Sequence, residues 1–267
     1  VQIGNMDAVN TSAESFVLWQ WANAGSTSVG SPAGTIPTAV SLNSDAGFVI
    51  GTYTANDTGS ATIGHGLGQK PDLYIIKQLG GGNGHVVHHK DMTYDYSYCV
   101  LNTTAAEFED TVYVVAGLSA TTITFGSTAH GMVNLGGDYL FYAWHSVEGY
   151  SKFGSYLGNN AGSNDDGPFI YTGFKPAWVM WKRSDAVGAW TVSDNKRDPY
   201  NPVTKVLEPN AVTTEAAAGT FGTDFTANGF KIRTDQNNHN ADGSVIIYAA
   251  FAENPFGGSG VAQAKAR

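Results

Sequence analysis

The chain has 267 residues, of which 42% are hydrophobic and only 14% are charged, and it contains 33 glycines. This length allows one large β domain or two ordinary ones. The net charge of −9 excludes a nucleic-acid partner, because phosphate binding requires clustered Lys and Arg. No apolar run approaches the roughly 18 residues of a membrane span, so we expect no membrane insertion. The single cysteine, Cys99, forms no internal disulfide and is predicted to be a small buried hydrophobe.

A unit of about a hundred residues occurs twice along the chain, and such internal similarity indicates a duplicated fold. The clearest match pairs the two Lys-Pro segments, KPDLYIIK and KPAWVMWK. The offsets of 103, 105 and 106 residues drift slowly, as small loop insertions would make them do. The matched segments are 51–54 with 154–157, 70–77 with 175–182, and 139–144 with 245–250.

Short runs of aromatic and β-branched residues, separated by Gly and Asn turns, predict β-strands throughout both units. In the first unit these runs are 48–53, 73–77, 85–89, 96–102, 112–116, 123–126 and 139–147. In the second unit they are 153–156, 169–171, 178–182, 190–193, 206–207, 230–233 and 245–251. Many short strands favour a sandwich or jelly roll in each unit. The predicted fold class is therefore all-β, with tandem sandwich-like or jelly-roll-like repeats.

The start of the chain resembles only the end of a unit, with a short strand, a polar loop and an apolar strand. We therefore expect residues 1–24 to be the closing hairpin of an incomplete leading repeat, followed by a Gly/Ser/Thr/Pro linker at 25–46. Full repeats are predicted at 47–149 and 150–256, and a flexible tail at 257–267. The hairpin must bury its apolar side chains, either on a sheet of its own chain or on a neighbouring subunit. Those side chains are Phe16, Leu18, Trp19 and Trp21.

Six tryptophans suggest carbohydrate binding, since sugars stack on exposed aromatic faces. Trp178 and Trp181 fall on opposite faces of one predicted strand, so at most one of them faces a ligand. Trp190 follows Gly188 near a loop end and is the better candidate. The candidate glycan-binding residues are Trp190, Trp178, Asp235 and Asn237. The competing interpretation is that these tryptophans pack in the core or in a subunit contact.

Other polar clusters give weaker signals for metal binding or catalysis. His85 and His89 share one face of a predicted strand but lie about 13 Å apart along it, too far for one ion, and His88 points to the other face. The oxygen-rich loops 164–167 and 235–242 lack the closing Glu of an EF-hand, and Asx turns adopt such sequences without calcium. The acidic run of Glu107, Glu109 and Asp110 has no flanking catalytic signature. We therefore predict no metal, no cofactor and no catalytic residues.

Several segments resemble a poorly characterised repeat family whose members are mainly virion proteins of marine bacteriophages, including cyanophages. The resemblance covers about residues 45–256, and members are usually described as tail-fibre-like or structural proteins. It implies no catalytic residues. The segments that carry it are 64–71, 147–156, 166–176, 197–202 and 248–256.

The sequence thus predicts a non-enzymatic protein of the extracellular phage particle, exposed as a tail fibre, a capsid fibre or a head-surface decoration. Its expected partners are identical subunits, in a homo-oligomer such as a trimer, and other virion proteins. Three alternatives stay open at this point: a module that binds host surface glycan during attachment, a polysaccharide depolymerase, and a bacterial surface or adhesin protein.

Overall fold

The computed structural model describes residues 10–21, 27–30, 33–161, 166–215 and 221–253, and it is nearly all β, with 40% strand and 2% helix. The predicted all-β class is confirmed. A single helical turn, α1 (Asn237–Asn240), precedes the last strand. The strands are β1 (Thr27–Gly30), β2 (Ala39–Asn43), β3 (Phe48–Thr54), β4 (Thr62–Gly64), β5 (Leu73–Gln78), β6 (Val86–His89), β7 (Ser97–Val100), β8 (Phe108–Glu109), β9 (Val115–Leu118), β10 (Thr122–Phe125), β11 (Asp138–Trp144), β12 (Ser151–Leu157), β13 (Phe169–Tyr171), β14 (Pro176–Arg183), β15 (Thr191–Asp194), β16 (Thr223–Thr226), β17 (Gly229–Ile232) and β18 (Val245–Ala252).

These strands form four sheets, and every pairing between them is antiparallel. The first central sheet has the order β1-β2-β3-β11-β5-β6-β7-β8, and the first outer sheet has the order β4-β10-β9. The second central sheet has the order β12-β18-β14-β15, and the second outer sheet has the order β13-β17-β16. The strand order β3-β11-β5-β6 in the first central sheet therefore recurs as β12-β18-β14-β15 in the second. The order β4-β10-β9 in the first outer sheet likewise recurs as β13-β17-β16. The two Lys-Pro segments introduce equivalent strands, β5 and β14.

The sheets stack in four layers that enclose three apolar cores. The first outer core lies between the first outer and first central sheets, and the second outer core lies between the second central and second outer sheets. Between the two central sheets lies a further cluster, the shared core, to which both repeats contribute. The strands β11 and β18 are consequently buried on both faces, which explains their uninterrupted apolar sequences.

The strand register corrects the sequence alignment of the last pair of repeated strands by one residue. Gly51 lies opposite Phe141, and Gly154 lies opposite Tyr248. Phe141 therefore corresponds to Tyr248 at an offset of 107, whereas the sequence match at 106 aligned Tyr142 with Tyr248. A shift of one residue reverses the face of every side chain. Only the structural offset places Phe141 and Tyr248 alike, each in the outer core of its own repeat.

Two predicted features of the organisation are wrong. The segment 25–46 is not simply a linker, since it contains β1 and β2, and β2 pairs with β3 to extend the first central sheet. Residues 10–21 contain no strand, so the apolar strand predicted there does not form. The rest of the predicted hairpin, at 1–9 and 22–24, lies outside the described residues, as does the predicted tail at 257–267.

Smaller differences concern the short strands. The structure adds β4, β8 and β16, which are too short to give a clear apolar run. The run predicted at 112–116 becomes β9, two to three residues further along the chain. The predicted strand at 206–207 is reduced to a single bridge between Leu207 and Val192, at the position that β7 occupies in the first repeat.

In both repeats a glycine lies against an aromatic ring of the neighbouring strand, so a methyl group added there would collide with the ring. A Cβ at Gly51 would lie 2.4 Å from the Phe141 ring and 2.8 Å from Val40. We expect Gly51→Ala to lower the free energy of unfolding by about 1–3 kcal/mol, because the buried ring must move. Urea denaturation measures this change. The control is Gly117→Ala in β9, where a Cβ meets nothing within 4 Å and stability should be unchanged or higher. Equal effects of the two substitutions would contradict this packing.

Candidate functional site

A largely apolar cavity of about 440 Å³ lies between the two central sheets, within the shared core. Four indoles line it, two from the N-terminal segment and one from each central sheet: Trp19, Trp21, Trp144 and Trp178. Most of the remaining wall is aliphatic or aromatic, and it comes from both repeats. These residues are Gln20, Phe48, Leu73, Ile75, Leu101, Tyr142, Met180, Val192, Pro209, Ala249 and Phe251.

The N-terminal segment is held against this cavity by its two tryptophans. The ring of Trp21 meets Trp178 and Phe251 edge to face, with centroids 5.4 Å apart in each case. Trp19 packs on Trp178 as well, at 6.2 Å. Phe16 and Leu18, on the same segment, remain exposed. The expectation that the apolar side chains of this segment are buried is therefore met in part, by the two half-buried tryptophans.

Asp194 fixes the position of Trp19 through a charged network. The Trp19 Nε1 donates to Asp194 Oδ2 at 3.1 Å, and the Arg197 Nε donates to the same oxygen at 2.7 Å. Burial raises the pKa of Asp194, but hydrogen bonds from Arg197 and Trp19 outweigh burial and hold the pKa below its ordinary value. The Arg197 guanidinium also lies 5.7 Å from the Trp19 ring centroid, within the range of a cation–π contact.

Two of the indoles that line the cavity carry unsatisfied donors. The Nε1 atoms of Trp144 and Trp178 are buried and have no hydrogen-bond partner among the described residues. A buried donor left without a partner costs about 1–3 kcal/mol. Both atoms are inaccessible to a water-sized probe, so these two donors are buried within the packing around the cavity.

The structure separates the four residues predicted to bind glycan. Trp190 is 2% exposed, and its Nε1 donates to the Val100 carbonyl at 3.1 Å. It is therefore a core residue, and its selection as a glycan contact is wrong because a sugar cannot reach the ring. Trp178 lines the cavity, while Trp181 lies in the second outer core, which confirms that they occupy opposite faces of their strand.

Asp235 and Asn237 are exposed at the start of α1. That turn packs on the Trp181 face of the second central sheet, since the His239 ring lies 4.7 Å from Trp181. The two polar residues thus belong to the opposite side of the sheet from Trp178 and form no common site with it.

The histidine run is part of the scaffold. His88 Nδ1 lies 2.8 Å from the Ser97 carbonyl, and His89 Nε2 lies 3.1 Å from the Tyr248 carbonyl of the other repeat. Within the described parts of the chain, no three His, Cys, Asp or Glu residues lie together in a group that could hold a metal ion. Cys99 is buried, as predicted, and burial raises its pKa to about 12.

The acidic and amide-rich segments also have structural roles. Glu107 accepts hydrogen bonds from the backbone and hydroxyl of Thr93, and Asp110 accepts two from the following turn, one from the Val112 backbone at 2.8 Å. In the loop 235–242, the buried Asn240 side chain donates to the Ala161 carbonyl at 3.0 Å and to a second carbonyl at 2.9 Å. The other oxygen-rich loop, 164–167, lies partly outside the described residues.

Four histidines are buried as neutral rings, which makes stability depend on pH. Burial lowers the pKa of His65, His88 and His89 to about 4 and that of His239 to about 3. The unfolded chain takes up these protons near pH 6.5, whereas the folded chain does not take them up until the pH is much lower. The stability that neutral histidines contribute is therefore complete above about pH 6.5 and declines on acidification.

We predict that the free energy of unfolding falls steadily between pH 6.5 and pH 4. Each buried histidine should contribute at most about 1.4 kcal/mol of this loss per pH unit. Urea midpoints at pH 7.5, 6.0 and 5.0 measure the decline, and His239→Gln should make it shallower. A midpoint that is constant over this range would contradict neutral burial of the four rings.

The outward face of the second outer sheet carries two exposed aromatic side chains. In β13, Phe169 is 49% and Tyr171 is 60% exposed, while Ile170 between them is buried in the second outer core. Lys231 lies opposite Phe169, and Gly229, which has no side chain, lies opposite Tyr171. The result is an exposed aromatic surface with an amine beside Phe169.

The first outer sheet has no such surface. Its strand β4 is equivalent to β13, because Ile63 and Ile170 both face the cores of their repeats. The positions equivalent to Phe169 and Tyr171 are then Thr62 and Gly64. The two repeats share their buried architecture and differ on this outer face.

These features define a two-repeat, all-β protein with four stacked sheets and a tryptophan-lined cavity at the junction of its repeats. The chain belongs to the family described as "Domain of unknown function (DUF7483)", whose model matches residues 1–255. No curated protein and no solved structure matches it. Among the described residues, no helix has the length and apolar character needed to cross a membrane.

Proposed function

We propose that this protein is a structural component of a bacteriophage particle, exposed on its surface, with no catalytic activity. One observation supports this most: the polar side chains that suggested chemistry in the sequence hold strands and loops together. His89, Glu107 and Asn240 are examples, each hydrogen-bonded to the backbone of a distant segment. The repeat segments also resemble phage virion proteins, and this resemblance supports a location in the phage particle.

The contacts between the repeats suit a rigid building block. The buried Lys182 donates to the Gly188 carbonyl at 2.8 Å and, across the repeats, to the Thr104 carbonyl at 3.3 Å. The Gly188 backbone also donates to Thr104 at 2.9 Å, and the Glu107 backbone donates to Ser184 at 2.8 Å. With the shared core, these bonds join the repeats into one body that can present its outer faces to identical copies and to other virion proteins.

Purified phage particles test this proposal. Mass spectrometry of density-banded particles from a phage that encodes this chain should detect it at a fixed ratio to the major capsid protein. Antibodies against the chain should label intact particles in electron micrographs, whereas antibodies against a phage DNA-replication protein should not. Recovery of the chain only from the soluble lysate, with no particle labelling, would contradict the proposal.

The aromatic surface on β13 favours a second candidate function, attachment to host surface glycan. Sugar rings stack on exposed aromatic faces, and Lys231, which is ion-paired with Asp166, supplies polar groups beside Phe169. This assignment replaces the glycan site expected at Trp190, which is buried. The exposed pair in the second repeat, against Thr62 and Gly64 in the first, is the observation that favours it.

A matched pair of variants tests glycan attachment. We expect Tyr171→Ala to weaken binding to immobilised host surface polysaccharide about tenfold, which corresponds to about 1.4 kcal/mol of stacking energy. The matched control is Thr62→Ala on the equivalent outer face of the first repeat, which should bind like the unaltered protein. The polysaccharide should keep its chain length during the incubation, since no depolymerase activity is expected. Unchanged binding by Tyr171→Ala would contradict a glycan role for this surface.

A further inference from the structure

We infer that the open edge of β12 is an interaction surface for a second copy of this chain, which pairs its own β12 with it across a twofold axis. The strand β12 is 7 residues long and lies at the edge of the second central sheet, where it pairs with β18 on one side. Its equivalent in the first repeat, β3, pairs on both sides, with β11 and with β2. An edge strand presents a row of main-chain N–H and C=O groups that another strand can complete.

The first repeat shows how this side of the sandwich is closed when a strand is available. The segment 35–43 lies first along β4, where the Ile36 backbone donates to the Thr62 carbonyl at 2.9 Å, and then forms β2 beside β3. The described part of the second repeat has no such segment. The residues before β12 form a tight turn instead, in which Val147 and Ser151 pair with each other.

The main-chain groups of three β12 residues point toward the open edge. Ser151 shows the direction, since both its N–H and its C=O bond to the preceding turn rather than to β18. The direction alternates along an antiparallel strand, so Phe153, Ser155 and Leu157 also face outward. The Phe153 N–H donates to Ser146 Oγ at 3.3 Å. The main-chain groups of Ser155 and Leu157 have no hydrogen-bond partner within the described chain.

A second β12 fits this edge in a register that uses all three outward residues of both strands. Antiparallel pairing about a twofold axis at Ser155 places this residue opposite its own copy and Phe153 opposite Leu157. The Leu157 side chain, which is 61% exposed in the single chain, then lies beside the partner strand. The same strand therefore supplies both halves of a self-complementary contact.

The charges at the two ends of β12 favour this occupant over an unrelated strand. In the same register, the exposed Lys152 of each copy lies opposite Gly158 of the other. Gly158 has no side chain, and it is bridged on its inner side to Asp242, which is exposed. Opposite charges therefore approach each other twice, once on each side of the axis.

The contact is confined to one strand edge and is smaller than the roughly 1,600 Å² of a standard interface. We therefore expect a reversible dimer with a dissociation constant of about 1–100 µM. The isolated chain carries both halves of the contact, so this inference does not depend on the location proposed for the protein.

Sedimentation velocity of the full chain, at concentrations up to about ten times the expected dissociation constant, tests dimer formation. Ser155→Pro removes an outward N–H and leaves the pairing with β18 intact, since edge positions tolerate proline. It should weaken dimerisation at least about tenfold. Ser155→Ala is the control, because it loses the same hydroxyl contact with Asp91 but keeps the N–H, and it should dimerise like the unaltered chain.

A charge exchange tests the register. Lys152→Glu should weaken dimerisation about fivefold, because it places two acidic groups together on each side of the axis. Adding Asp242→Lys to the same chain should restore it. Thermal unfolding of each variant checks that it is folded.

Cross-linking tests which residues meet. Ser155→Cys places an exposed thiol at the twofold axis, so a short bismaleimide should link two chains. Thr52→Cys is the matched control, because it is exposed at the equivalent position of β3, where β2 covers the edge. It should remain largely a single chain on a denaturing gel. The native Cys99 is buried and does not compete for the reagent.

Three results would overturn the inference. The first is a monomer throughout the concentration range. The second is an oligomer that neither Ser155→Pro nor Lys152→Glu weakens. The third is equal cross-linking of the two cysteine variants. If Ser155→Pro does not fold, the charge exchange and the cross-linking pair decide the question.

Discussion

The face-to-face contact of the two central sheets determines the rest of this structure. Each central sheet is apolar on both faces, so it must be covered on both sides. One face meets the small outer sheet of its own repeat, and the other meets the central sheet of its neighbour. Neither repeat can bury its central sheet alone. Each copy of the duplicated unit therefore depends on the other for its stability.

The polar chemistry of the chain follows from this stacking. Side chains that cross between layers must find partners in a dry interior, and they find them mainly on backbone carbonyls. His89 reaches the Tyr248 carbonyl and Lys182 reaches Thr104, each across the junction of the repeats. The two repeats differ on their outer faces, where Phe169 and Tyr171 of the second repeat take the places of a threonine and a glycine. The N-terminal segment has no counterpart in the fold of either repeat, and it lines the cavity between the central sheets.

The sequence predicts the parts of the fold that depend on long apolar runs. The strands β5, β14, β11 and β18 are such runs, and their recurrence identifies the duplication. The sequence places the register of β18 wrongly by one residue, because a strand that is buried on both faces has no alternation to mark which face is which. The sequence does not reveal β1 and β2 because polar and small residues surround them. They are strands through pairing, β2 with β3 and β1 with β2.

The functional site is hard to predict for a similar reason, because the face of a sheet on which a side chain lies depends on how the sheets pack. Tryptophan content suggests ligand contacts, but a sequence does not show which rings face a core, and Trp190 packs there whereas Trp178 lines a cavity. The exposed pair of aromatic residues on β13 does carry a sequence signal, since Phe169 and Tyr171 alternate with Ile170. That signal becomes informative only when the equivalent strand of the first repeat is known to carry threonine and glycine.

Native-state hydrogen exchange tests the central claim, that the shared core makes the two repeats one cooperative unit. The amides of β5 and β14, at equivalent positions in the two central sheets, should exchange through the same global opening. They should show one free energy and one dependence on denaturant concentration. Exchange of either strand at a clearly lower free energy, while the other remains protected, would contradict the account.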